Sequence, residues 1–238
     1  MKVFLTSNPF VYGRETGLNP ENDFIWNIKY SLSYENSVLF VAAMPLDHQV
    51  NDRMSAQIKD CFNSSGIFVK TMDVLDSRYV ERANELDKYD MIILSGGHVP
   101  TQNEFLKSMD FKNKLKHYDG TVLGISAGSM NSAGTVYAIP EEDGEGTDPS
   151  FKRFIDGLDL TDINIVPHFE SLPQRTVDGM NMLGVVKRDS KARKFLGLPD
   201  GSYVSINDGR ELVYGPFYTV ADGVATKTEA SFMAQAFE

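Results

Sequence analysis

The chain has 238 residues, 42% of them hydrophobic, a formal net charge of -10 and a pI near 4.9. That is enough apolar material for a single α/β domain over 1–238 with a sizeable core, and the acidic balance argues against nucleic acid and anionic membrane surfaces, which need a basic face. A lone cysteine, Cys61, excludes an internal disulfide and a multi-thiolate metal site, and its helical context reads as a buried structural thiol.

Taken in order, the chain alternates two periods. Residues 1–7 read as a first core strand rather than an export signal, and no later run approaches the roughly eighteen apolar residues of a membrane span, so the expected compartment is the cytoplasm. Residues 8–19, with Pro9, Gly13 and Gly17, form a loop, and 21–34 carry Phe24, Ile25, Ile28 and Leu32 at helical spacing. The continuously apolar 37–43 is a strand buried on both faces, followed by a helix over 47–62 behind Pro45. A strand over 66–69, a short helix over 78–86, a strand over 91–94 and a helix over 101–117 come next. The Asp119-Gly120 turn then leads into the strand Thr121-Val122-Leu123. Such alternation implies parallel pairing through right-handed crossovers, hence a doubly wound, mostly parallel sheet between helices. Ligands of such sheets sit beyond the carboxyl ends of the strands.

The second half is less regular. Residues 140–146 form an acidic loop read as a solvated excursion, 163–166 a strand ending at Pro167-His168, and 176–186 a helix. Gly197-Leu198-Pro199-Asp200-Gly201 opens a run of short strands, and Asn207-Asp208-Gly209 between two apolar triplets signals a C-terminal β-hairpin.

The chemistry concentrates at Gly124-Ile125-Ser126-Ala127-Gly128, directly after a strand and before small, helix-compatible residues. A serine there sits in a strained strand-to-helix corner, a nucleophile elbow, with its hydroxyl close to the first amides of the next helix. Serine is a poor nucleophile without a base. Of the four histidines, His168 stands just after a core strand on the same rim, whereas His117 precedes its strand, His48 opens a surface helix, and His98 follows another strand. The N–H of Ala127 is the expected first oxyanion donor, and Ser95-Gly96-Gly97 offers exposed amides for a second. The same glycines could simply make a turn or cradle a phosphate, but His98-Val99-Pro100 supplies neither a P-loop lysine nor a third fingerprint glycine.

These stretches, together with Leu94-Ser95-Gly96-Gly97, Val166-Pro167-His168-Phe169 and Gly197-Leu198-Pro199-Asp200-Gly201, resemble in order and spacing the landmarks of the dipeptidase E (α-aspartyl dipeptidase) and cyanophycinase family of serine peptidases, over about residues 1–220. The resemblance implies a class I glutamine amidotransferase-like α/β sandwich with serine at the elbow. It makes Ser126 the nucleophile, His168 the general base and acid, and the amides of Gly97 and Ala127 the oxyanion hole.

For the third member the family has an aspartate about fifteen residues past the nucleophile, where this chain has Glu141; a glutamate there can orient the imidazole from a different backbone position. Glu170, two residues after His168 as in amidotransferases of this architecture, is the rival, and Glu141 is preferred. Family members cleave after an amino-terminal aspartate, which makes Arg175 the candidate for the substrate carboxylate, an ordinary surface arginine being the other reading. The tracts 8–19 and 98–103 do not match the aspartyl dipeptidases. The expected activity is hydrolysis of small peptides through an acyl-enzyme, with no metal or other cofactor; the alternative is a non-peptidase protein of this scaffold acting on or binding another small metabolite. The partner is a small peptide, with room for a homodimer.

Overall fold

A computed structural model describes residues 1–11 and 16–229. Labels below number the larger sheets' strands and the α-helices. They run β1 (Lys2–Thr6), α1 (Phe24–Lys29), β2 (Asn36–Val41), α2 (His48–Ser64), β3 (Val69–Leu75), β4 (Met91–Leu94), α3 (Val99–Ser108), α4 (Phe111–Leu115), β5 (Thr121–Ile125) and α5 (Ala127–Asn131). The chain continues through β6 (Ile165–Val166), α6 (Met182–Asp189), β7 (Phe195–Gly197), β8 (Tyr203–Asn207), β9 (Arg210–Tyr214), β10 (Phe217–Ala221) and β11 (Val224–Thr228).

Seven strands form the main sheet in the order β9-β8-β1-β5-β4-β2-β3. The five from β1 to β3 are mutually parallel, and β8 adds antiparallel to β1. Side chains alternate between two cores, as the pleat dictates. Val3, Leu5, Leu39, Val41, Ile92 and Leu94 meet Phe105, Leu106, Phe111 and Leu115 of α3 and α4. On the other face Phe4, Val38, Phe40, Met91, Ile93 and Leu123 meet Phe24 and Ile28 of α1 with Ile58 and Phe62 of α2. Both faces being covered explains why the strands read as unbroken apolar runs. Cys61 is buried, 4% exposed, on α2, whose start is capped by the Asp47 carboxylate accepting from Val50 N–H.

A smaller sheet, β6-β7-β10-β11, has β6 and β7 parallel, and the hairpin β8–β9 turns at Asp208-Gly209 with φ of 50° and 73°. Among the described residues no helix is long and apolar enough to cross a membrane.

Several expected elements are shorter or shifted, each for a local reason. The expected helix 21–34 holds a 3-10 turn, Glu21–Asp23, with left-handed φ at Asn22 and Asp23, before α1. Expected helix 101–117 breaks at Asp110, φ 53°, into α3 and α4. In place of helix 176–186, Asp178-Gly179, both at positive φ, fold a small ribbon, Thr176–Val177 with Met180–Asn181, and α6 begins only at Met182, capped by Asn181. Residues 78–86 are 3-10 helical over Val80–Asn84, and the strand expected at 66–69 is β3. Within 8–19, Phe10–Val11 pairs with Gly17–Leu18, while residues 12–15 lie outside those described.

The elbow glycines are steric necessities. A Cβ built on Gly128 would lie 2.1 Å from the Leu94 carbonyl oxygen, because α5 is pressed against the end of β4. Gly128→Ala should therefore cost about 2–3 kcal/mol in urea unfolding, the scale of an overpacked core; wild-type stability in that variant would refute so close an approach.

Candidate active site

Three adjacent parallel strands end on the same rim. β1 delivers Ser7, β5 delivers Ser126 and β4 delivers Ser95-Gly96-Gly97. The last carbonyl of β1, on Thr6, accepts from both Ser126 N–H (3.0 Å) and the Ser129 hydroxyl (2.7 Å), so the elbow is pinned on its strand side. Ser126 has φ 49° and ψ −106°, and its carbonyl starts α5 by accepting from Met130 N–H.

Nine described non-glycine residues have positive φ. Seven are Asn or Asp, whose short polar side chains tolerate it; the other two are Ser126 and His168, at φ 52°. Backbone strain of this kind persists only where the surroundings over-determine it.

The second sheet brings the imidazole. β6 ends at Val166, and its parallel register sets Val166 opposite Gly197 of β7. Two residues beyond one strand is His168, and three beyond the other is Asp200. His168 Nδ1 lies 2.8 Å from Asp200 Oδ1, and Nε2 lies 3.1 Å from Ser126 Oγ. An ionised carboxylate only accepts, so the proton between them is on Nδ1, and Nε2 presents its lone pair to the serine hydroxyl. Burial disfavours the Asp200 charge, yet hydrogen bonds from His168 and Ser7, electrostatic attraction to His168 and the Asn8 side chain outweigh it and hold the carboxyl below the usual range.

The structure thus sets Asp200, not Glu141 or Glu170, against His168, which corrects the sequence-based choice of third member. Glu170 accepts from the Tyr218 hydroxyl (3.0 Å) and lies 3.7 Å from Lys227 Nζ, turned toward β10 and β11. Glu141 accepts from Val99 N–H at 3.3 Å and lies 3.7 Å from Arg175 Nη2. Burial is the main influence on Glu141 and pushes its carboxyl up against the pull of Arg175 and Val99.

Gly96 lies against the nucleophile: a Cβ there would stand 3.4 Å from Ser126 Cβ. Gly97, with φ 149°, has no room for a side chain, because its Cβ would come 2.7 Å from Ala43 Cβ. The Ser95 hydroxyl accepts from Ala43 N–H, and its carbonyl accepts from the Gln102 side chain, so this loop is anchored on both sides. Ala127 N–H opens α5 and has no acceptor within that helix.

The acidic loop is built rather than loosely solvated. Glu145 accepts from the N–H groups of Glu141 (2.7 Å) and Glu142 (3.0 Å) and pairs with His98 Nε2 at 2.7 Å; Asp178 accepts from Gly144 and Gly146. Burial opposes the Glu145 charge, but these donors hold its carboxyl below the usual range. One ligand atom each of His98, Glu142 and Glu145 lie within 4.8 Å of one another. A metal there would have to take Glu145 from the backbone and His98, so the group reads as a closed hydrogen-bond cluster rather than a vacant chelate.

Asp200 escaped the sequence reading because its link to His168 runs through the register of two short strands whose facing residues are about thirty positions apart. The available signal was an aspartate just past a strand, in the Gly197–Gly201 turn.

A hydroxyl, an imidazole and a carboxylate in line are the groups of an acyl-transfer site. No curated protein matches the sequence. Among solved structures, a peptidase from an acI-B1 Actinobacterium superposes with TM-score 0.68 at 12% identity, covering 98% of this chain and 96% of that one. A Listeria monocytogenes EGD-e protein named for peptidase E superposes with TM-score 0.62 at 17% identity, covering 89% and 96%. At such identities the likeness is one of fold, the doubly wound α/β sandwich. The family model of peptidase family S51 matches residues 20–213, a stretch that contains the elbow serine, the rim histidine and the aspartate beside it, and the chain belongs to that family.

Proposed function

We propose that this serine peptidase hydrolyses small peptides with Ser126 as nucleophile, His168 as base and acid, and Asp200 as the group that fixes the imidazole. The observation that carries the reading is the relay from Ser126 Oγ to His168 Nε2 at 3.1 Å and from Nδ1 to Asp200 at 2.8 Å. Ser126 Oγ attacks the scissile carbonyl carbon while its proton passes to Nε2. The N–H groups of Gly97 and Ala127 stabilise the oxyanion. Collapse of the tetrahedral intermediate breaks the C–N bond as Nε2 protonates the leaving amine, leaving an ester on Ser126. Water then attacks that ester, giving its proton to Nε2, and the acid product leaves as Oγ recovers a proton. No step calls on a metal or cofactor. The acidic surface and the lone buried thiol favour a cytoplasmic enzyme whose partner is a peptide rather than nucleic acid.

Arg175 is the cation that a substrate carboxylate would meet on this rim. Glu141 competes for it: the guanidinium faces Glu141, which is bonded to Val99, and Val99 packs with Ala127 in one cluster beside the nucleophile. Acidic peptides therefore have to displace an internal partner.

A fluorophosphonate probe should label the wild type and not Ser126→Ala; equal labelling of both would remove Ser126 from the mechanism. Asp200→Asn should lower kcat by about three to four orders of magnitude, as when the imidazole is left in the wrong tautomer, whereas Glu170→Gln stays within about twofold of wild type. Equal losses in the two variants would count against Asp200. Because the folded state depresses the Asp200 pKa, its stabilising contribution is complete above the ordinary aspartate value of about 3.9 and fades as pH falls through the lowered one. The Tm gap between wild type and Asp200→Asn should accordingly narrow below about pH 4, and a gap independent of pH would show that the charge is not what stabilises. Glu141→Gln should raise the ratio of kcat/KM for Asp-X over Ala-X dipeptides several-fold by releasing Arg175, while an unchanged ratio takes Arg175 out of the substrate site.

A further inference from the structure

The end of β1 carries a group that the three-residue relay does not use. Ser7 is fully buried at 0% exposure, and its hydroxyl bonds to both of the other rim segments at once. It donates to Asp200 Oδ1 at 2.6 Å and accepts from the backbone N–H of His168 at 2.7 Å. The next residue continues the clamp: the Asn8 carbonyl accepts from Gly201 N–H at 3.2 Å, and its side chain helps hold the Asp200 carboxyl low. Antiparallel pairing of β8 on β1, with Thr6 opposite Tyr203, brings 200–202 beside 7–8.

Two physical consequences follow from one oxygen atom. His168 stands in the left-handed region, where a non-glycine residue needs external support, and the Ser7 oxygen is the acceptor that receives its N–H. Asp200 is half exposed, 53% for its side chain, so without fixed donors its carboxylate could rotate toward water and leave Nδ1. The 2.6 Å bond from Ser7 fixes the same oxygen that receives the imidazole proton. Ser7 Oγ also lies 3.4 Å from Nδ1, but the Asp200 carboxylate, charged and at 2.8 Å, is the nearer and stronger acceptor for the Nδ1 proton.

We propose that Ser7 is a positioning residue of this peptidase, holding His168 by its backbone and Asp200 by its carboxylate so that Nε2 faces Ser126. The inference rests on the relay proposed above, and it assigns no contact with substrate to Ser7. Its loss should reduce turnover without weakening substrate binding.

The test compares wild type, Ser126→Ala, Asp200→Ala, Ser7→Ala and Ser7→Thr, each checked by thermal melting. The far-downfield proton resonance of the His168 Nδ1–H bonded to Asp200 should persist in Ser126→Ala, vanish in Asp200→Ala, and shift or broaden in Ser7→Ala. In parallel, Ser7→Ala should be labelled by the fluorophosphonate about ten- to hundredfold more slowly, the scale of one lost hydrogen bond to a charged group, and Ser7→Thr, which keeps the hydroxyl, should recover most of that rate. With the best dipeptide substrate the loss should fall on kcat and leave KM within about twofold. Slow labelling with an unmoved resonance would show Ser7 to be merely structural, and a wild-type labelling rate with a moved resonance would show that its hold does not serve the reaction; either result overturns the proposal. If Ser7→Ala does not fold, Ser7→Cys, similar in size but a poorer donor and acceptor, enters the same comparison. Should Ser126→Ala label like wild type, the peptidase reading of Ser126 fails, while the resonance still reports whether Ser7 holds the His168–Asp200 pair.

Discussion

The site depends on one crossing of the chain from the small sheet into the large one. β7 runs parallel to β6, and Leu198 N–H continues that ladder to the Val166 carbonyl at 2.9 Å. Phe169 N–H then bonds back to the Leu198 carbonyl at 3.2 Å, which locks the histidine-bearing turn to the strand that precedes Asp200. Five residues after Leu198 the same segment is β8, antiparallel to β1. Residues 198–202 therefore join two sheets, and they do so where the carboxyl ends of β1, β5 and β6 converge. Moving either register by one residue would turn Asp200 or His168 to the opposite face, because strand side chains alternate with a period of two. The catalytic geometry is thus inherited from strand pairing rather than from contacts among the reacting groups, whose own hydrogen bonds are too few to fold a loop.

Such a framework can hold strain. Ser126 and His168 occupy left-handed backbone conformations costing on the order of 1–3 kcal/mol each, and neither is of the Asn or Asp type that fills the other non-glycine positions of this kind. Each is held through its backbone by the end of β1: Ser126 N–H by the Thr6 carbonyl, His168 N–H by the Ser7 hydroxyl. Consecutive residues at the end of one short strand, Thr6 and Ser7, thus hold the backbones of two side chains that meet from 42 positions apart. Around the nucleophile, Gly124 and Gly128 let α5 sit against β5 and the Leu94 carbonyl, where any side chain would push the elbow off its strand.

What was legible in the sequence follows from how local each signal is. The apolar runs of the parallel strands, the capped start of α2, the Asp208-Gly209 hairpin and the strand-to-helix corner at Ser126 are written within a few residues, and they could be read directly. His168 was legible because it directly follows a strand. Asp200 was not, since its partner is fixed by pairing between strands distant in sequence, and the spacing that the family resemblance implies points to Glu141 instead. The Glu141 carboxylate is turned to Val99 and Arg175 rather than to the imidazole. The expected helix over 176–186 failed for the opposite reason, a purely local one: apolar spacing was read past Asp178-Gly179, whose positive φ values end any helix.

The acidic loop shows why net charge alone says little about a site. Glu141 and Glu145 lie four residues apart, yet their surroundings push them in opposite directions. Glu145 receives two backbone N–H groups and His98, and its charge organises the loop. Glu141 has one amide at 3.3 Å and a guanidinium at 3.7 Å, too little to offset its burial. A buried, weakly compensated carboxylate gains most from any better partner that arrives. Among the described residues the Arg175 guanidinium is paired with that carboxylate alone, at 3.7 Å, so it too is weakly held. In the proposed function the pair is an adjustable element: a substrate carboxylate that took Arg175 would leave Glu141 to accept a proton or a substrate ammonium, so recognition of an acidic peptide would be linked to the fate of a second charge. In the function proposed above, selectivity among peptides would reside in the balance between these two side chains, while the strand-fixed relay at Ser126 would supply the chemistry to whichever peptide is bound.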